Sequence, residues 1–458
     1  MDIVRQDKKL LFLYRGICFI LLFYILYSLF LNFAFSDFAI TYDVIFIQSF
    51  LCVGMLFVIL LGKKLEIKSC FILIFLYQCL ATFVLRELFY IFYNNPFGYG
   101  PMDSVTYHEL GIAIKDMSLQ KATSYLAESY NYDDYGFPLI LRWAYKFFDS
   151  GKAGLNSVLV LNAIVVVFSS LFLYKLGLFF MKVSYAKLLM LLWGTQPYIV
   201  YLAPRGIKEN FFLFCIMGAM YFCCLFQQKK TLWTFFLFIA FSVSTILFRM
   251  PIFYMLIFSF FLSWAIRIPS IQKNLLLFSL VGVMIICVSF RILVDYIGGD
   301  EQGMLFLDTF LSNRLSTFND QSTAMGINII SGLIGPIPDI IGPVYKNNYF
   351  LYNFTVFFKI CISGFFLVGS YYIIRNKEYK YFALLFYILM HTIMLVAVFW
   401  TMDTRYQLPQ LPFVMLIALY GYSQISKYKL THTFFFSGYA LLVVTLIFFF
   451  NYRYISSI

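Results

Sequence analysis

Long apolar runs separated by brief polar breaks occupy most of the chain. Runs of about 18 or more residues are each long enough to cross about 30 Å of hydrocarbon as a helix. Their spacing predicts about thirteen helices, over roughly residues 11–33, 43–61, 69–92, 156–180, 185–203, 210–226, 231–249, 251–266, 274–293, 351–374, 381–400, 410–425 and 432–451. The pair 231–249 and 251–266 meets at Arg249-Met250-Pro251, which reads either as a tight turn or as a kink. Lipid-exposed backbone must satisfy its own hydrogen bonds, and these runs are too long for barrel strands. The expected fold class is therefore an all-α polytopic membrane protein, with residues 1–458 forming a single integral membrane domain. The first run exceeds the apolar core of a signal peptide and lacks a small-residue cleavage site, so it reads as a retained helix.

Two polar segments interrupt the pattern at length, 93–155 and 294–350. The first opens with YGPMDSVTYHELG at 99–111. A helix is expected after Pro101, with Leu110, Ala113, Ile114 and Met117 on one face and His108, Glu109, Lys115 and Asp116 elsewhere. FPLILRWAYKFF at 137–148 is too short to span and carries Arg142 and Lys146 four apart. Both segments read as helices lying in the headgroup layer.

Charge orients the chain. With the N-terminus inside, the cytoplasmic segments hold Arg5, Lys8 and Lys9; Lys63, Lys64 and Lys68; Lys182 and Lys187; Lys229 and Lys230; Arg267 and Lys273; Arg375, Lys377 and Lys380; and Lys427 and Lys429. The short outer segments hold only Arg205, Lys208, Arg249 and Arg405. Both long segments then face outward, which in a bacterium means the periplasmic side of a multi-pass inner-membrane protein with a cytoplasmic N-terminus. No nucleotide sugar or ATP is available there, and no GxxxxGK phosphate loop occurs in the chain.

Composition agrees. Of 458 residues, 62% are hydrophobic and 12% charged, about half the charge of a soluble domain. The net charge of +12 does not indicate nucleic acid, because the basic residues come in twos and threes between apolar runs, as membrane anchors do. The nine cysteines all lie inside apolar runs without zinc-site spacing, so they read as packing or lipid-facing residues.

Four stretches carry a resemblance. The outward DSVTYHELG followed by DDYGFPLILRWAYKFF is similar to the first extracytoplasmic loop of polytopic GT-C glycosyltransferases. IKENFFLF at 207–214 resembles the Lys-Glu that opens a later helix in bacterial members. LIGPIPDIIG at 333–342 resembles the Gly/Pro-rich turn near the end of their second long loop, and DTRYQLPQLPFVMLIALYG at 403–421 their Arg-Tyr-x-x-Pro entry to a late helix. The pieces follow the expected order over residues 99–421. The high Phe, Tyr and Ile content also resembles O-antigen and capsule polymerases. The resemblance implies transfer of sugar from a polyprenyl phosphate or diphosphate donor to a saccharide hydroxyl at the outer face, with membrane lipid as surroundings and no nucleic-acid partner.

Such a transfer needs a base on the acceptor hydroxyl and cations on the leaving phosphate. Asp103 is the candidate base, ionised at neutral pH with an ordinary pKa near about 3.9; it also suits a cap on the helix that follows. Tyr107, His108, Asp133 and Asp134 are further candidates in the same loop, His108 either orienting the acceptor or occupying an exposed helix position. Arg205, Lys208, Arg249 and Arg405 violate the inside preference, each at a helix end. They suit phosphate binding or interfacial snorkelling. Arg86 and Glu87 lie about 10 Å below the outer end of the third run, where a charge costs up to about 2.5–3.5 kcal/mol; an ion pair and a substrate contact both remain open. His391 reads as a hydrogen-bonded core residue. No cofactor is expected and no cluster has metal spacing, although Asp103, Asp133, Asp134 and Glu301 together leave a divalent metal open.

Two other classes compete. A transporter or flippase of lipid-linked saccharide would show helices interrupted at mid-membrane and internal pseudo-symmetry, and no repeat is visible in the sequence. A scaffold or receptor would not require the outer cations.

Overall fold

The structure, a computed structural model, describes residues 2–34, 42–98, 102–129, 134–268, 321–335, 346–397, 404–425 and 435–447. Among these residues the regular structure is entirely helical: α1 (Asp2–Ala34), α2 (Tyr42–Lys64), α3 (Ile67–Tyr93), α4 (Met102–Ile114), α5 (Leu119–Ser129), α6 (Gly136–Phe148), α7 (Lys152–Gly177), α8 (Val183–Gly194), α9 (Pro197–Leu202), α10 (Glu209–Lys229), α11 (Leu232–Ser244), α12 (Met250–Ala265), α13 (Gln321–Ile334), α14 (Lys346–Arg375), α15 (Phe382–Ala397), α16 (Thr404–Gln407), α17 (Leu411–Gln424) and α18 (Phe435–Ile447). Among the described residues six stretches are long and apolar enough to cross a membrane: Ile45–Lys64, Ile67–Tyr93, Lys152–Gly177, Glu209–Lys229, Phe358–Arg375 and Tyr379–Val396. Shorter apolar helices cover Leu10–Leu26, Leu232–Leu247, Met250–Ala265 and Phe435–Ile447. The expected helix 274–293 and most of the second long segment lie outside the described residues.

The expected single helix 185–203 is two helices. Pro197 has no N–H to continue the ladder, and the Gln196 carboxamide oxygen instead accepts from the Tyr198 and Ile199 amides at 2.6 and 3.0 Å. Gln78 of α3 donates to the Gly194 carbonyl at 2.7 Å, and the Thr195 hydroxyl to Leu191 O at 2.7 Å. Side chains thus occupy polar groups on both sides of the interruption, as buried backbone requires. The junction at Arg249 is a turn: α11 stops at Ser244, a 3₁₀ turn covers Thr245–Leu247, and Arg249 is extended at φ −160° before α12 begins.

Several segments expected inside gather at one end of the bundle. The Lys187 ammonium bonds the Lys63 and Leu65 carbonyls, Tyr381 Oη donates to Phe179 O at 3.0 Å, and Arg267 Nη2 to Gln227 Oε1 at 2.5 Å. α3 carries the chain away from that end to α4–α6. There a small apolar cluster of Ile114, Ala122 and Leu126 is packed by Leu110, Met117 and Leu139. α5 supplies two of its members and is not among the expected helices. Arg142 turns inward, its Nε donating to Ile114 O and Met117 O at 3.2 Å each, so it caps the end of α4 rather than joining Lys146 on one outer side. Trp143, Phe147 and Phe148 are left exposed beside Lys146.

α14 and α17 pack along their backbones at Gly369 and Gly421. A Cβ on Gly421 would come within 2.9 Å of the Gly369 Cα, so glycine is required for this approach.

Candidate functional site

At the end opposite the gathered lysines, charged side chains from five places in the chain meet. α10 begins beneath a turn whose Gly206 adopts φ +64°, which sets Lys208 and Glu209 side by side at the first turn of the helix. The Glu209 carboxylate is buried, 4% exposed, and favoured there by the helix dipole. It accepts from Arg405 Nε, and Arg249 Nη2 approaches it at 4.0 Å. Arg405, on the short α16, also donates from Nη1 to Asp103 Oδ2 at 2.5 Å, 302 residues away in the chain. Asp103 stands in the first turn of α4 with its carboxylate 48% exposed. The cluster therefore has a covered floor, Glu209, and an open rim, Asp103.

Lys208 forms the adjoining wall. Its Nζ pairs with Asp134 and donates to Phe248 O at 3.1 Å, while Tyr107 Oη donates to Asp134 Oδ2 at 3.0 Å. Arg249 lies over the Tyr406 ring at 4.5 Å and the Phe212 ring at 5.8 Å. Counted by formal charge, Lys208, Arg249 and Arg405 balance Asp103, Asp134 and Glu209. Burial pushes the Lys208 ammonium well below the usual lysine range, helped by Arg249 and Arg405 and opposed by Glu209 and Asp103. Burial also works against the Arg405 guanidinium, but Glu209 and Asp103 outweigh it and raise its pKa.

The chain thus brings together Asp103, Tyr107, Asp134, Lys208, Arg249 and Arg405. Arg205 packs on Tyr201, its guanidinium 5.7 Å from the ring centre and Nη1 at 3.5 Å from the hydroxyl. Asp133 lies outside the described residues. His108 is not on an exposed position: it is half-buried, its Nδ1 2.8 Å from Tyr145 Oη and its ring 5.3 Å from Phe97. Burial lowers its pKa against the opposing pull of Glu109, so the imidazole is neutral at neutral pH. His391 is buried, as a core histidine is expected to be, and its Nδ1 finds no hydrogen-bond partner among the described residues.

Two charged residues escape a residue-by-residue reading. Glu209 is visible only as the neighbour of an outer lysine, yet it joins both arginines. Lys359 is a lone cation in an apolar run; it is 2% exposed and bonds Gly332 O at 3.3 Å and the Gln407 carboxamide, two residues beyond Arg405.

Beside the charged cluster runs an apolar groove of about 350 Å³ lined by Leu139, Ile140, Trp143, Phe211, Leu247 and Phe248. Its walls adjoin the cluster directly: Phe248 supplies the carbonyl that Lys208 holds and precedes Arg249. Compared with protein-family models, curated proteins and solved structures, the chain matches none.

Proposed function

We propose that the chain is a membrane glycosyltransferase of the GT-C type. It takes saccharide from a polyprenyl phosphate or diphosphate donor at the outer face of a bacterial inner membrane, and extends or polymerises a surface polysaccharide such as O-antigen or capsule. In this reading about thirteen helices span the membrane with the N-terminus cytoplasmic. The observation that carries it is the direct contact of the exposed Asp103 carboxylate with Arg405 inside a group of three cations, next to an apolar groove. An amphiphile with an anionic head and a hydrocarbon tail fits both halves of that arrangement.

The contact also suggests the order of events. A phosphate arriving at Arg405 and Arg249 competes with Asp103 for the guanidinium, which offers planar donors that match phosphate oxygens. Displacement leaves the Asp103 carboxylate free to accept the proton of the acceptor hydroxyl. The acceptor oxygen then bonds to the anomeric carbon, the carbon–oxygen bond to phosphate breaks, and the charge on the departing oxygen falls among Arg249, Arg405 and Lys208. Glu209 keeps the two arginines in place throughout.

Asp103→Asn tests the assignment with the purified protein, a labelled lipid-linked donor and a saccharide acceptor. Transfer should fall by at least about 100-fold, as for loss of a general base, while donor binding is retained. Near-wild-type product would remove Asp103 as the base. The α8–α9 interruption favours a second reading, transport of the lipid-linked saccharide. Its polar groups are met by Gln78, Thr195 and Gln196. Detergent solution separates the readings: without two compartments a transporter forms no product, whereas a transferase does.

A further inference from the structure

We infer that Arg86 and Ser104 form a binding site for a small monovalent anion of halide size, in a small, partly enclosed cavity beneath α4. The site is separate from the Asp103–Arg405 cluster, and the inference does not rest on the proposed transferase activity.

Arg86 is 2% exposed within α3. Its Nη2 donates to Asn156 Oδ1, and Glu87 Oε1 lies 4.0 Å away. That carboxylate is half-exposed and stands closer to Lys152, at 3.2 Å, so one negative charge is shared by two cations. Arg86 Nε and Nη1 are both buried and meet no acceptor among the described residues. The Ser104 hydroxyl, on a residue 1% exposed, likewise has no partner among them.

Arg86 and Ser104 line the same cavity. It encloses about 10 Å³ between α3, α4, α6, α7 and the turn at Pro204 and Gly206, with His108 and Tyr145 in its wall. That space is open to the centre of a water-sized particle, so a single small ion can occupy it. No carboxylate belongs to the lining. The Tyr145 hydroxyl faces His108 Nδ1; burial raises the tyrosine and lowers the histidine, so neither contributes charge at neutral pH. A guanidinium only donates hydrogen bonds. A water must also donate its own hydrogens, whereas an anion accepts from Arg86 and Ser104 together and cancels the excess positive charge. So small a space suits a halide better than anions as large as gluconate or sulfate. Ser104 follows Asp103 directly, so the bound ion would tie the first turn of α4 to α3.

The test is thermal unfolding of the full-length protein in detergent, titrated with sodium chloride against sodium gluconate at equal ionic strength. A saturable rise in Tm with chloride, reproduced by bromide, is expected; Arg86→Gln should abolish it and Arg249→Gln should not. Ser104→Ala keeps the charge and should raise the chloride midpoint about tenfold, the usual effect of one hydrogen bond to an ion. If Arg86→Gln does not fold, bromide-soaked crystals of the wild type decide, with an anomalous peak expected within hydrogen-bond reach of Arg86. No chloride response in the wild type, an equal response in Arg86→Gln, an unchanged midpoint in Ser104→Ala, or bromide found only at the outer cations would each overturn the assignment.

Discussion

Replacing Glu209 with Gln should move stability and anion binding in opposite directions. The wild-type cluster balances three cations with three carboxylates; the substitution leaves it one positive charge in excess. Breaking a buried ion pair by removing one partner costs about 3–5 kcal/mol. Arg405 keeps Asp103 and is partly exposed, so the lower end of about 3 kcal/mol applies. For an arriving phosphate the same loss is favourable. One unit charge about 8 Å away, at an effective dielectric constant of about 20, is worth roughly 2 kcal/mol, or about 30-fold in affinity. Unfolding can be followed by tryptophan fluorescence, and binding by titration with a fluorescent prenyl phosphate in detergent. A variant of lower Tm that binds the prenyl phosphate markedly more tightly is expected. A variant that loses stability and binds no better would make the cluster a structural knot, and would remove the phosphate site from the proposed mechanism.

Arg405→Lys should lower transfer by at least tenfold with little change in expression, because one ammonium cannot bridge Glu209 and Asp103 as the planar guanidinium does; full activity would refute the two-sided role. Prenyl phosphate binding should weaken as pH rises through the depressed Lys208 pKa, since the deprotonated amine offers no charge. Lys208→Arg should abolish that dependence, and an unchanged profile would exclude Lys208 from the anion site. Single cysteines introduced at 65 and 377 should be labelled only from the cytoplasmic side and one at 128 only from outside; labelling of residue 128 from the cytoplasm would invert the topology.

The sequence disclosed the site's inventory better than its geometry. Arg249, Lys208 and Arg405 stand out because cations are scarce in the short outer segments, and that scarcity is a local property of the chain. The contact between Asp103 and Arg405 is not local, and no periodicity encodes a pairing across 302 residues. Glu209 was hidden by its setting, since one acid at the head of an apolar helix reads as an ordinary first-turn carboxylate until the arginines are seen around it. Among the described residues the helices followed from run length except where tertiary contacts overrode it. The stretch 183–202 is apolar almost throughout, and only Pro197 hints that Gln78 and Gln196 sustain a break there. Arg142 was misread for a related reason: helical spacing gives the side of a helix but not the neighbour that covers it, here the carbonyl end of α4.

The glycine contact between α14 and α17 bears on which helices the proposed transfer cycle would displace. With Gly369 against Gly421 there is no side-chain layer along which these two helices can slide. α17 continues directly from the segment that carries Arg405, and Lys359 of α14 grips that same segment through Gln407. Arg405 is thus mounted on a stiff frame. Asp103 belongs to α4, which packs with α5 and α6 around a small apolar cluster and joins the main core through Tyr107. If the proposed cycle parts the Asp103–Arg405 contact, the displacement falls to α4 rather than to the α14–α17 pair. Cross-linking α4 to α3 should therefore arrest the cycle, whereas cross-linking α14 to α17 should leave it running.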